Sequence, residues 1–361
     1  MCAKAQARRT QCAERLRRIA FAALAFENSK NRLPGYYEKF GEFAGGVDPA
    51  DPGNFGGNVP RHAKIGTWQV ALLANMGNAF LYERWAMDHY PLLSDGSGER
   101  GPTTEGYSII SASSSLYECP SASGSIAAHG LTSYIANVGM HADVFPFTHL
   151  RPGSGARTVG FARSMSRANG AISNQFAGFD PVDATGAVPV GKRVRMDDFK
   201  DGATNTMLFT ENNQAQPWYL TRLSGNVAHL HRFSTVNGDE VTEYPTESRY
   251  LQGAVWHYED DLRFAGAPVV QPRHKINGGD PYSEQMNSIN YTDLARPSSL
   301  HVAGVNMAMA DGSVHYVSET MDYRAYQALL TPNGRSIDMP NHEYLPLSDY
   351  SRGQSTSQIC L

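Results

Sequence analysis

Leu16, Ile19, Ala20, Ala23, Leu24 and Phe26 recur at three- and four-residue spacing, while Arg15, Arg17, Arg18 and Glu27 fall mostly opposite them. This pattern predicts an amphipathic helix over the first 30 residues. It ends at Asn31-Arg32-Leu33-Pro34-Gly35, where proline and glycine halt helical propagation. Its beginning is unusual, because six basic residues (Lys4, Arg8, Arg9, Arg15, Arg17 and Arg18) occupy the first 18 positions with no N-cap residue before them. The helix reads as though it starts in mid-stride. A second periodic segment runs from about Trp68 to Tyr90, with Val70, Leu73, Met76, Phe80 and Trp85 as its apolar stripe, and predicts a helix interrupted near Gly77.

From Leu116 onward the texture changes to short runs of β-branched and aromatic residues between Gly, Asn and Asp clusters, which predicts strands. The candidates are Leu116–Cys119, Ser133–Val138, Lys192–Met196, Thr206–Glu211, Leu251–Tyr258, Val305–Ala310 and Ser313–Ser318. The last two flank Asp311-Gly312 and predict a tight hairpin through a type I′ turn, whose two central residues both need positive φ. A short helix is expected around Tyr323–Leu330, with an irregular tail beyond. Pro146–Gly170 and Asn212–Ser248 read as long excursions between strands. Helices first and strands afterwards argue for an α+β fold.

Composition narrows the function classes. An apolar fraction of 41% supports a packed core, and 34 Gly with 20 Pro point to many turns. The longest uninterrupted apolar run, Ile19 to Phe26, is eight residues, against the ~20 that a membrane-spanning helix needs. On its own the chain is therefore expected to be soluble. Thirty-one basic against 35 acidic residues leave a net charge of -4, so no nucleic-acid partner is indicated. Cys2, Cys12, Cys119 and Cys360 contain no C-x-x-C pair and are too dispersed for a sequence-local zinc site. Free thiols and disulfides both remain open on composition alone.

Motifs that carry chemistry are sparse. Gly96-Ser97-Gly98-Glu99-Arg100-Gly101 matches G-x-G-x-x-G, but Pro102 follows and no helix opens there to meet a pyrophosphate. His229 and His231 share one face of an extended segment, with His257 and His274 as partners only if the fold brings them in; surface or core histidines are the better reading. Glu259-Asp260-Asp261 lacks the alternating spacing of a calcium loop. No nucleophile elbow, H-E-x-x-H or Walker loop is present, which argues for a protein that is not an enzyme. His301 and Asp311 lie most of a strand length apart, at ~3.3 Å per residue, so they are not expected to share an ion or an acid/base step. Asp311-Gly312 reads as turn chemistry, and His301 as a strand-entry residue that contacts another element or subunit.

Several segments together resemble the bacterial pseudopilin-like family that carries a prepilin-type N-terminal segment and ends in the H-X9-DG domain. The matching segments are Ala7-Arg8-Arg9-Thr10-Gln11-Cys12 continuing to Ala20, Trp68 to Leu73, Cys119-Pro120-Ser121, Asp201-Gly202-Ala203-Thr204-Asn205-Thr206 through Glu211, and His301 to Asp311-Gly312. Gln69, Ala74 and the arginine-rich first helix depart from the family pattern.

The resemblance implies a pilin-like α+β head, with the first helix (1–30) packed on an antiparallel sheet in a body spanning 31–335 and an irregular tail at 336–361. His301, Asp311, Gly312, Asp201, Gly202, Asn205, Thr206 and Glu211 would be structural motif positions, and Cys12 and Cys119 disulfide partners. It further implies a non-enzymatic role in the cell envelope, with pilin-like subunits or a type II secretion apparatus as partners. Membrane anchorage would come through an apolar segment preceding this chain, whose Met1 would then not be the natural start. The alternative is an extracellular module binding a glycan or solute, since the 18 Tyr and four Trp could form an aromatic face. No cofactor is expected, although calcium could support a loop that the sequence does not locate.

Overall fold

The computed structural model describes residues 3–47, 57–58, 61–86, 116–122, 131–141, 161–179, 187–188, 190–215, 217–221, 230–236, 238–242, 248–257, 272–279, 286–287, 289–337 and 359–360. Helix α1 (Ala3–Lys30) buries Cys12, Leu16, Ile19, Ala20, Ala22, Ala23 and Phe26, the face its periodicity marks out. Arg17 and Arg18 stay exposed on the other side. The turns before Cys12 are largely exposed and carry Lys4, Arg8 and Arg9. The helix closes through Asn31, whose φ of 55° is the left-handed conformation that ends many helices. No helix among the described residues is long and apolar enough to cross a membrane.

The second periodic segment is two short helices, α2 (Trp68–Leu72) and α3 (Ala79–Ala86), separated by a turn that contains Gly77. Val70, Leu73 and Trp85 are buried as expected, but Phe80 is 62% exposed and Leu81 takes the inward position. The break rotates the second helix relative to the first, so one continuous stripe does not describe both.

The central sheet has the order β12 (Ile359–Cys360), β11 (Val314–Ser318), β10 (Gly304–Met309), β6 (Met207–Glu211), β3 (Tyr134–Met140) and β9 (Gly253–Trp256). It is antiparallel except where β3 runs parallel to β9. Both its faces are covered, which explains why β3, β6, β9 and β10 are buried at every position rather than at alternate ones. Ala136, Phe209 and Ala308 join the core shared with α1, α2 and Trp68, while Ile135, Met207 and Met307 join a second core with Tyr326 and Leu330 of α4 (Tyr323–Leu330).

A second sheet comprises β1 (Glu38–Phe43), β2 (His62–Gly66), β7 (Leu230–Val236) and β8 (Asp239–Thr242); the last two fall in the Asn212–Ser248 segment read in sequence as an excursion, and β1 and β2 in a stretch where the sequence predicts no strand. A small pair, β4 (Gly178–Phe179) with β5 (Ala187–Val188), completes the described strands. The fold therefore combines helices with antiparallel and mixed sheets.

Several local expectations need correction. Leu116 and Tyr117 are helical, and Lys192–Arg195 is irregular before a 3-10 turn at Met196–Asp198, so neither segment is a strand. The C-terminal tail is not wholly irregular, because Ile359 and Cys360 pair with Val317 and Tyr316 at the sheet edge. The hairpin turn is not type I′, since Asp311 has no positive φ and only Gly312 does, at 85°. Gly312 N–H donates to Met309 O and Met309 N–H to Ser313 O, giving a three-residue loop that ends on a left-handed glycine. Asp311 Oδ1 accepts from Ser313 N–H at 2.8 Å and holds that turn. A Cβ on Gly312 would come within 2.8 Å of the Phe21 ring on α1, so glycine also lets the hairpin tip meet the helix.

Candidate functional site

Strands β6 and β10 run antiparallel with Thr210 opposite Met307. Asp201 to Glu211 and His301 to Asp311 each span ten positions. Antiparallel pairing of two equal spans places the end of one motif beside the start of the other. At one end, the Asp-Gly pairs meet: Ala310 N–H donates to Thr206 O at 2.8 Å and Asp311 N–H to Ala203 O at 3.2 Å. Gly202 has a φ of 103°, and Asn205 Nδ2 and Thr206 Oγ1 cap this turn by donating to the carbonyls of Asp201 and Gly202. Asp201 Oδ2 accepts from Gly334 N–H at 2.6 Å, tying in the chain that follows α4. Burial raises the Asp201 carboxyl above its ordinary value, against the opposing pull of that N–H and of Arg335.

At the opposite end Glu211 and His301 meet. His301 Nε2 lies 3.1 Å from Glu211 Oε1, and the side chains are 4% and 2% exposed. Asn306 holds the carboxylate in place, donating its backbone N–H to Oε2 at 2.7 Å and its Nδ2 to Oε1 at 2.9 Å. Ser299 orients the entry to β10 by accepting from His301 N–H and donating to Gly304 O. The sequence placed His301 at the start of a strand but gave no sign of which element it faces.

A disulfide joins Cys12 of α1 to Cys119, across 107 positions of sequence. Cys119 Sγ is 3.7 Å from His301 Nε2. Tyr134, opposite Glu211 in the β3–β6 register, donates its hydroxyl to Cys12 O at 3.1 Å, and Arg15 donates to Glu118 O. Burial raises the Tyr134 hydroxyl well above its ordinary range, and Glu211 adds to that shift. Cys12, Cys119, Glu211 and His301 form a buried cluster whose Sγ, carboxylate and imidazole atoms all lie within 4.8 Å of one another. Four of the five resembling segments, the one on α1 among them, supply this cluster, so it is assembled only by the tertiary fold.

Above it opens a cavity of about 130 Å³, lined by Arg8, Arg9, Ser121, His301, Val302 and Tyr316. The Arg9 guanidinium sits 4.3 Å from the centre of the Tyr316 ring. Burial raises the Tyr316 hydroxyl while Arg9 pulls it down.

The other residues singled out in sequence do not converge here. His257 stacks on His141 at 4.5 Å and His274 packs on Tyr323, and among the described residues neither belongs to a cluster of metal-binding atoms. His229, Gly96–Gly101 and Glu259–Asp261 lie outside the described residues, as do the side chain of His231 and most of 146–170. All four Trp are buried, so they form no exposed aromatic platform for a glycan. Gln69, where the family pattern differs, donates to Gln252 Oε1 at 2.7 Å beside Trp68, whose Nε1 donates to Gln252 O.

A family model described as "Protein of unknown function (DUF1559)", with a short name that labels it a bacterial solute-binding protein, matches residues 1–324. No curated protein and no solved structure matches the chain.

Proposed function

Since the chain belongs to the DUF1559 family, whose function is unknown, we propose that it is a non-enzymatic, pseudopilin-like envelope protein associated with a type II secretion or type IV pilus-like apparatus. The observation that carries this reading is the division of α1. From Cys12 to Phe26 the helix is docked on the β-sheet and stapled by the Cys12–Cys119 disulfide. Before Cys12 it extends as an exposed helical arm bearing Lys4, Arg8 and Arg9. A helix fixed to a head from Cys12 onward, with Lys4 and Arg8 exposed on the turns before it, suits a subunit tethered near anionic lipid headgroups. A disulfide suits an exported head. On this reading the protein is held at the membrane, with the head on the outer side.

Fractionation of source cells, followed by cross-linking and mass spectrometry of the native protein, tests this. The expected result is recovery with the membrane and cross-links to pilin-like or secretion subunits. Recovery as a free cytoplasmic protein with no such neighbours overturns it.

The cavity beside Arg8, Arg9 and His301 favours one second reading, a module that binds a small anionic solute, in keeping with the family model's label. Stabilisation in thermal shift by a small carboxylate or phosphate ester, lost in Arg8→Ala/Arg9→Ala, would support it.

A further inference from the structure

We propose that the Cys12–Cys119–His301–Glu211 cluster is a redox-gated zinc site: closed as a disulfide when oxidised, and a four-ligand Cys2-His-Glu centre when reduced. This stands apart from the envelope reading, and either could fail without the other.

The argument begins with geometry. Tetrahedral Zn²⁺ takes bonds of about 2.0–2.2 Å to N and O and about 2.3 Å to S, which puts neighbouring ligand atoms about 3.3–3.8 Å apart. His301 Nε2 already stands 3.7 Å from Cys119 Sγ and 3.1 Å from Glu211 Oε1. All four ligand atoms are within 4.8 Å of one another. Two edges of the tetrahedron are thus close to preset, the two sulfurs must part, and the remaining edges need to close by no more than about 1 Å. The Cα atoms of the cysteines are 5.1 Å apart on a helix and a loop, so side-chain rotation can separate the sulfurs while the backbone stays in place.

The surroundings suit a metal centre as well. Asn306 grips both carboxylate oxygens of Glu211 from the adjacent strand, the kind of supporting hydrogen bond that fixes a ligand's orientation. The cavity lined by His301 and Ser121 gives an entry path. A disulfide needs neither the histidine nor the glutamate buried beside it; a shared ion when the thiols are reduced gives the four side chains one purpose.

The chemistry balances in both directions. Two equivalents of a monothiol, or one dithiol, donate two electrons and two protons to the Cys12–Cys119 bond, giving two thiols and the reductant's own disulfide. Zn²⁺ then displaces both thiol protons and takes the neutral His301 Nε2 and the Glu211 carboxylate as its remaining ligands. In reverse, a disulfide-exchanging oxidant accepts two electrons from the thiolates, the Sγ–Sγ bond re-forms and Zn²⁺ is released. The newly made reduced chain would carry zinc, and oxidation outside the cytoplasm would replace the ion with the covalent link.

The test uses the chain with Cys2→Ser and Cys360→Ser, so that only the two cluster cysteines remain. After reduction, and with oxygen excluded, it is titrated with Co²⁺ and then with Zn²⁺ against a chromophoric chelator. One equivalent of Co²⁺ should bind, with a thiolate-to-cobalt charge-transfer band and the intense visible bands of a tetrahedral centre. Oxidised protein of the same far-ultraviolet circular dichroism should bind none. His301→Ala and Glu211→Gln should each weaken zinc by at least tenfold, and Asn306→Ser, one shell out, by about 10–100-fold. Because the oxidised and reduced forms of one protein are compared, a variant that misfolds does not decide the result. Reduced protein that gives no charge-transfer band, or equal binding by both redox forms, overturns the proposal.

Discussion

His301 and Glu211, ninety residues apart in sequence, meet at 3.1 Å in the core, at the entry to one strand and the end of its neighbour. Glu211 also accepts both donors of Asn306. Truncating the carboxylate would leave the Asn306 N–H and the imidazole buried without their acceptor. Glu211→Ala is expected to cost about 2–3 kcal/mol, and Glu211→Gln, which keeps an acceptor for the strand N–H, distinctly less. Urea denaturation measures both, and equal losses would show that the pair does not work through these hydrogen bonds.

The disulfide closes a loop between Cys12 and Cys119, 107 positions apart, and fixes α1 to the head. Loop closure of that length predicts that reduction, or Cys12→Ser/Cys119→Ser in the absence of metal, lowers stability by about 2–5 kcal/mol. Non-reducing peptide mapping of oxidised protein should recover the Cys12–Cys119 link. A guanidinium midpoint that does not move on reduction would contradict the staple.

Gly312 serves both the turn and the helix contact, with a φ of 85° and Phe21 against its open side. Gly312→Ala should cost about 1–3 kcal/mol through backbone strain and the clash with the ring. Phe21→Ala in the same background should relieve the clash but not the strain, so the two substitutions will be non-additive. Strict additivity of their denaturation midpoints would remove the helix contact from the explanation.

Asp201 gives a pH signature. Burial raises its carboxyl above the ordinary 3.8, so between that value and the raised one the native state binds more protons than the unfolded chain. Stability from this group therefore falls as pH rises through that window. Asp201→Asn removes the slope, so the gap between wild type and variant midpoints should change across the window and level off above it. Parallel profiles would show that the group is not perturbed on folding.

The two motif spans were readable as strings, and the reason for their equal length becomes visible in the pairing of β6 with β10. Asp311-Gly312 is readable as a turn, but its type is not, because a three-residue loop ending on a left-handed glycine places the same residue pair one position later in the loop. Strands β1 and β2 went unread because Glu38–Phe43 contains a register shift between Lys39 and Gly41 and His62–Gly66 is only five residues long. Both lie in glycine-rich context, where a short period-2 pattern carries little signal.

The buried face of α1, the central strands and the hairpin follow from the sequence, because each depends on residues within a few positions of one another. The cluster of Cys12, Cys119, Glu211 and His301 does not, since its members come from a helix, a loop, a strand end and a strand entry. No periodicity links positions so far apart. Only the packing of α1 over β6 and β10, driven by burial of both sheet faces, brings their reactive atoms together.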